Sequence, residues 1–286
     1  MSHTSWSNSR WTSRLGTAVA FVAVAIAAIL IGLPFFWMVT TALKDWKEVM
    51  IFPPVWFPAK PQWQNFSVAW QQEPFGRYYV NSTITMVSGT IAEVLIAIFS
   101  AYALARIQYR HREAVFLVIL AAMMIPSQMS LIPNYVTTYR LGWIDTYMGL
   151  VVPSVSSVFG TFLLRQAFMS MSPELFDAAK IDGAGHLYSL FGIAMPLATP
   201  VIATLTLYLA SAKWNHYLWP LIVTNSRNMR TLPLGLAWLS REGEYGEVGE
   251  QHKMAAVLIV LIPMFVIYFL AQKQLIEGIS AGALKG

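Results

Sequence analysis

The sequence predicts an all-α polytopic membrane protein with six transmembrane helices, and three observations carry that reading. Hydrophobic residues make up 56% of the 286 positions and charged residues only 12%, against about 25% charged in an ordinary soluble domain. The 19 Lys and Arg and 14 Asp and Glu are too few to cover a globular surface of this size. They also cluster, leaving six stretches long enough to cross a hydrocarbon core of about 30 Å, which takes about 20 mostly apolar residues. The net charge of +5 does not point to nucleic acid, because the densest basic group, Arg106, Arg110, His111 and Arg112, is short and broken. It reads as a membrane-orientation signal. With no cysteine, disulfides, Cys-ligated metal centres and thiol nucleophiles are excluded.

The first apolar stretch runs from Leu15 to Leu43 without a charge. Arg10 and Arg14 precede it as in a signal peptide, but it far exceeds a secretory core of about 7 to 15 residues, so it reads as a retained helix. Residues 1–14 carry no apolar periodicity and read as a cytoplasmic N-terminal tail. The second stretch, Tyr78 to Ala105, contains only Glu93, and the third, Ala114 to Tyr139, contains no charge and is expected to end at Pro126 and Pro133. Thr146 to Leu164 is the fourth, Gly183 to Ser226 the fifth with Lys213 as its one charge, and Met254 to Gln272 the sixth. The transmembrane domain is thus 15–273, followed by a tail over 274–286.

Six crossings place both termini on one side. Lys and Arg divide nine to nine between the two sides, so the count alone does not orient the chain. The Arg106 to Arg112 cluster favours a cytoplasmic loop there, hence cytoplasmic termini. The segments Lys44 to Arg77, with Trp46, Trp56, Trp63 and Trp70, and Asn225 to Lys253 then lie outside.

Between the fourth and fifth stretches lies a loop over 172–196 with clear helix signals. Ser172 suits the cap, Pro173 the first helical position and Glu174 the positive helix end. Leu175, Ala178 and Ala179 share one small apolar face, and Gly183 suits the left-handed turn that stops a helix. Such a helix-turn-helix can be a plain surface hairpin joining two spans; its small alanines also let a partner pack closely.

Ionisable groups inside spans are costly and mark function. Lys213 opens the run KWNHYLWP, in which Trp214, Asn215 and Tyr217 join aromatic and hydrogen-bonding groups over about two helical turns. Sugars are bound by such mixtures, so Lys213, Trp214, Asn215 and Tyr217 are candidate solute-pathway residues. For Trp219 an interfacial belt is the simpler reading. Glu93 must find a partner or be protonated, and Asn81 and Ser82 suit helix packing. Gly278 to Gly282 matches G-x-S-x-G, but a nucleophile elbow needs a strand before it and a helix after it, and here the pattern trails a spanning stretch.

DAAKIDG followed nine residues later by IAMP resembles the EAA loop of ATP-binding-cassette importer permeases, with Asp177 for the usual Glu and Met195 for the usual Leu. LPFFWMVTTALK, YYVNSTITM, AYALAR, WNHYLWPL and GISAGALKG extend the resemblance to carbohydrate-type, maltose-permease-like subunits. FLLRQAF and PELFDAAKIDGA look closest to the glycerol-3-phosphate type. The resemblance implies a non-enzymatic inner-membrane subunit that imports a sugar, oligosaccharide or glycerol phosphate. Glu174, Asp177, Ala178, Ala179, Asp182 and Gly183 would then form a cytoplasmic coupling helix. It further implies a second homologous permease, two copies of a cytoplasmic ATPase that bind ATP and Mg, and an extracytoplasmic solute-binding protein. The chain itself has no GxxxxGK[ST] loop, so the nucleotide site is expected on another polypeptide and no cofactor here. A six-helix secondary transporter or channel is the alternative, but it would carry more intramembrane carboxylates than Glu93 and an internal repeat.

Overall fold

The computed structural model describes residues 6–244 and 248–283. Among them every regular element is helical, as the charge pattern predicts. By contact the chain divides into residues 1–72 with 239–259, and residues 73–238 with 260–286.

In the first unit, α1 (Trp6–Ala42) carries a 27-residue apolar span from Gly16 with mean hydropathy 2.7. It starts at Trp6 instead of Leu15. Nothing between Trp6 and Arg14 is Gly or Pro, so the helix propagates outward past the apolar segment; residues 1–5 of the expected tail lie outside the described residues. The helix end is capped by Asn65, whose amide donates to the Ala42 and Lys44 carbonyls at 2.9 Å each. A short helix, Trp46–Met50, follows, opened by a capping box between Asp45 and Glu48.

In the second unit, α2 (Phe75–Arg106) is the central element, and it packs chiefly on the helices Val158–Met169 and Thr199–Trp214. Ala97, Ala101 and Ala105 recur every fourth residue on its buried stripe, and their small side chains let neighbouring backbones approach. Around them Ile98, Leu164, Phe168, Leu190, Leu205 and Leu209 complete the core.

The other spans are not single rods. Among the described residues three helices are long and apolar enough to cross a membrane, and three further bent pairs bring the number to at most six. The pair 112–124 and 127–140 bends by 91°, the pair 147–154 and 158–169 by 48°, and the pair 186–197 and 199–214 by 80°. Pro126 stands at the first break, as expected, but Pro133 does not end a helix: it sits in the first turn of Leu131–Arg140, where its missing N–H has no intrahelical partner to lose. At the second break Ser157 caps the helix Val158–Met169 by accepting from the Gly160 N–H at 2.9 Å. The fifth stretch contains a π-helical segment, Ser189–Ala194, and ends in a separate short helix, Leu218–Val223. The last helix, Glu250–Ala283, continues through the expected C-terminal tail and the G-x-S-x-G pattern; 284–286 lie outside the described residues.

Two polar layers hold the ends of α2. At its N-terminal end, fully buried Glu73 accepts from Tyr78 and pairs with Arg227 at 3.0 Å. Asn81 donates to the Asn228 and Arg230 carbonyls at 2.7 and 2.8 Å and accepts from the Tyr147 hydroxyl at 2.7 Å, and Ser82 accepts from the Leu232 N–H at 2.8 Å. Asn81 and Ser82 thus pack against loop backbone. At the C-terminal end Arg165 donates to the Leu104 carbonyl at 3.1 Å and to both Glu113 oxygens at 2.7 and 2.8 Å, satisfying a carbonyl that the helix leaves unpaired.

Asp145 staples two loops together, accepting from the Asn225 and Ser226 backbone N–H groups at 2.9 and 3.0 Å. Burial pushes its carboxyl up, yet the hydrogen bonds from Ser226 and Asn225 outweigh burial and hold it below the ordinary carboxylate range. A depressed folded-state pKa contributes stability above the unfolded pKa and loses it as pH falls through the folded value. Asp145→Asn tolerates the same positive φ and keeps an acceptor. It is expected to cost about 1 kcal/mol at neutral pH, and its melting temperature should converge with that of the natural protein as the solution is acidified below the carboxylate range. A difference that persists unchanged in acid would remove the role of the charge.

Candidate functional site

Two groups of residues singled out in the sequence fall on separate parts of the second unit. The first is the helix Pro173–Ile181 with its turn. Pro173 and Glu174 open it as expected, but Ser172 does not cap backbone: its hydroxyl bonds the Glu174 carboxylate instead. That hydrogen bond, with one from the Glu174 backbone, holds the exposed Glu174 carboxyl below its ordinary value. The helix closes in a left-handed turn. Gly183 has φ +82°, the Ala184 N–H reaches the Ala179 carbonyl at 2.8 Å and the Gly183 N–H reaches the Lys180 carbonyl at 3.1 Å, the hydrogen-bond pair of a Schellman motif.

The expected apolar face is split by the packing. Ala179 turns inward and is buried, while Leu175, Ala178, Asp182 and Gly183 stay exposed and line a shallow cleft with Tyr188. Asp177 lies on the other side, beside a second cleft lined by Arg106, Phe176 and His186. The base of the helix is clamped to the core. Arg106 donates to the Phe168 and Met171 carbonyls at 2.6 and 2.8 Å, and its guanidinium lies 3.9 Å over the Phe176 ring. Sequence reasoning took Arg106 as an orientation charge; its clamp depends on carbonyls more than 60 residues away and had no local signal.

The second group surrounds Lys213. Its ammonium is 2.8 Å from Glu93, with both side chains 9% exposed, and donates to the Ser154 carbonyl at 2.8 Å. The two intramembrane charges noted separately in the sequence therefore satisfy each other. Gly89 makes the room: a Cβ there would lie 3.0 to 3.3 Å from the lysine's outer atoms. Ser154 closes the 3₁₀ turn Val152–Ser154 at the 48° bend, so the lysine binds a carbonyl beside a broken helix. Lys213, a candidate pathway residue in the sequence, is thus held by protein groups.

The remaining pathway candidates diverge. Trp214 is buried at 2% exposure and packs edge-on to Tyr79 with ring centroids 6.1 Å apart. Asn215 ends the helix, its amide donating to the Ser211 carbonyl at 2.8 Å, and both Asn215 and Tyr217 are exposed. Trp219 is not a belt residue: it is buried, and its indole donates to the Gly149 carbonyl at 2.8 Å. Among the described residues no group of three His, Asp or Glu is placed to hold a metal ion.

Residues 93–280 match the family described as the binding-protein-dependent transport system inner membrane component. Over 265 residues the chain is 31% identical to the sn-glycerol-3-phosphate transport system permease protein UgpE of Yersinia pestis bv. Antiqua (strain Antiqua), covering 90% of this chain and 94% of that one. It is 29% identical to the probable ABC transporter permease protein YurM of Bacillus subtilis (strain 168), covering 95% of this chain and 90% of that one. Its fold is similar to a chain in the crystal structure of a bacterial ABC transporter involved in the import of the acidic polysaccharide alginate. The TM-score is 0.81 at 23% identity, over 96% of this chain and 99% of that one.

Lys213→Met leaves Glu93 buried without a partner and is expected to destabilise the protein by about 3 to 5 kcal/mol, seen as a lower melting temperature. Adding Glu93→Gln should restore most of the loss. Equal melting of the single and double variants would mean that the pair does not hold these helices.

Proposed function

Since the chain belongs to the family of binding-protein-dependent transport system inner membrane components, we propose that it is one permease subunit of an ATP-driven importer that moves a carbohydrate-class solute by alternating access. The family is one of transport subunits, not enzymes. The solute class covers sugars, oligosaccharides and glycerol phosphates or their diesters. It is supported by the relation to a glycerol-3-phosphate permease and by the shared fold with an alginate importer.

The observation that carries the coupling mechanism is the helix Pro173–Ile181, stopped by Gly183 and clamped to the core through Arg106. A force applied to Leu175, Ala178 or Asp182 on its open side passes through Phe176 and Arg106 to the ends of α2 and of the helix Val158–Met169. Packed cores shift between discrete arrangements instead of deforming continuously, so a rigid lever of this kind turns a movement of a partner into a movement of spans. The partner is a cytoplasmic ATPase present in two copies, binding ATP and Mg. Its seat places the loop 172–196, and with it both termini, in the cytoplasm of a bacterium.

In this reading the spans that rearrange are the broken ones, since broken helices are where transporters place solute. A second homologous permease completes the pathway, and an extracytoplasmic binding protein delivers the solute. The Lys213 and Glu93 pair contributes by holding two spans and a helix break in one arrangement, while Asn215 and Tyr217 keep exposed polar groups beside it.

Gly183→Val tests the lever. No atom crowds a Cβ at Gly183, so the cost is the positive φ alone, about 1 to 3 kcal/mol for a β-branched residue. The variant is expected to insert normally but to lose solute-stimulated ATPase activity and uptake. Gly183→Asn, which tolerates the left-handed region, should retain both. Normal stimulation in Gly183→Val would rule out the coupling role.

A further inference from the structure

A cleft opens among the helix breaks of the second unit that the coupling mechanism does not use. Ser127 and Gln128 line it just after the 91° bend, Asn134 from the helix that follows, Ser154 from the 48° bend, His216 from the irregular stretch after Trp214, and Trp219 from the short helix Leu218–Val223. Non-helical backbone at membrane depth is tolerated only where it is buried in protein or lines a water-filled cavity, and broken helices are where transporters place solute. Ser154 accepts from Lys213, which lies against Gly89 and Glu93 near the middle of α2. The cleft is therefore deep along that helix.

Its chemistry is one-sided. Asn134 and His216 make no side-chain hydrogen bond among the described residues, and Gln128 is met only by the Ser127 hydroxyl at 3.4 Å. Amides, a hydroxyl and an imidazole offer both donors and acceptors. No Asp, Glu, Lys or Arg lines the cleft, and the nearby ammonium of Lys213 is spent on Glu93 and Ser154. A phosphate or carboxylate would lose its water there with no opposite charge in return, whereas a hydroxyl would exchange water for the unpaired amides. Trp219 supplies ring surface only, since its N–H is held by Gly149.

We propose that this cleft is a solute subsite contributed by this subunit, in which Gln128, Asn134 and His216 bind the hydroxyl groups of an uncharged sugar or polyol. The proposal rests on the importer function and narrows its solute class. It assigns to this chain the recognition of hydroxyls and leaves no group in the cleft for an anion.

The absence of cysteine makes the test direct. Asn134→Cys and His216→Cys are introduced singly into the full chain and assembled in vesicles with the sister permease, the ATPase and the binding protein. Labelling of this subunit by a water-soluble methanethiosulfonate is followed by mass at about pH 8, where any remaining imidazole is neutral. Val118→Cys, on an exposed position of the helix Arg112–Ala121 outside the cleft, is the control. The probes are maltotriose, trehalose, glucitol, sn-glycerol-3-phosphate and an oligouronate. Both cleft cysteines are expected to label faster than the control, and at least one neutral probe at several times its dissociation constant should slow them about fivefold. The two anionic probes should leave the rate unchanged. Protection by an anion alone, or by no probe, overturns the subsite while solute-stimulated ATPase activity stays intact. Loss of that stimulation in the natural assembly would instead overturn the importer function. A second variant guards against misfolding: Asn134→Leu should raise KM for the protecting neutral probe about fivefold, the loss of about one hydrogen bond, with melting temperature unchanged; an unchanged KM counts against the subsite.

Discussion

An ammonium and a carboxylate on separate apolar helices cannot remain apart in a bilayer, because neither can be left unpaired in hydrocarbon without a penalty of several kcal/mol. Lys213 and Glu93 meet at 2.8 Å, and much of the second unit follows from that meeting. The pair sets the register of the helix Thr199–Trp214 on α2, lays the lysine stem closely against Gly89, and uses a further hydrogen bond to satisfy a carbonyl exposed by the bend at Ser154. One contact thus ties two spans and the break of a third. It also leaves the neighbouring cleft without net charge, which separates the chemistry of this subunit from a simple reading of its basic composition.

The ends of α2 show the same economy of satisfied groups at opposite faces of the molecule. At the Phe75 end, loop carbonyls and amides are collected by Asn81, Ser82 and Asp145, so irregular chain is held by single polar side chains. At the Arg106 end, guanidinium groups do this work: Arg165 and Arg106 take carbonyls released by helix termini and stack on Phe116 and Phe176. Arginine suits that end because its planar fork serves several acceptors at once while its face covers an aromatic ring. The helix Pro173–Ile181 hangs from this clamp with its outer side free.

The helical class, the extent of the long apolar stretches and the turn at Gly183 were legible without coordinates. Each depends on local rules: the length of chain free of charge, the preference of Pro and Glu for a helix start, and the freedom of glycine at positive φ. Local reasoning failed where a residue answers to a group outside the pattern it was read in. Pro133 reads as a helix stop but begins a new helix, because the break had already occurred at Pro126. Trp219 reads as an interfacial ring but lies buried with its N–H on the Gly149 carbonyl. Ser172 reads as a backbone cap but bonds Glu174.

By itself the sequence determined that this chain crosses a membrane as helices and carries a small-residue helix and glycine turn between two of its spans, since hydrophobic length and helix-end chemistry act within a few residues of one another. Only the tertiary structure decided that Glu93 and Lys213 are partners, that three apolar stretches bend instead of running straight, and that Ala179 is buried while its neighbour Ala178 stays exposed. These outcomes are set by groups 59 to 120 positions apart competing for the same buried carbonyls and charges, and neither periodicity nor composition records which of them meet.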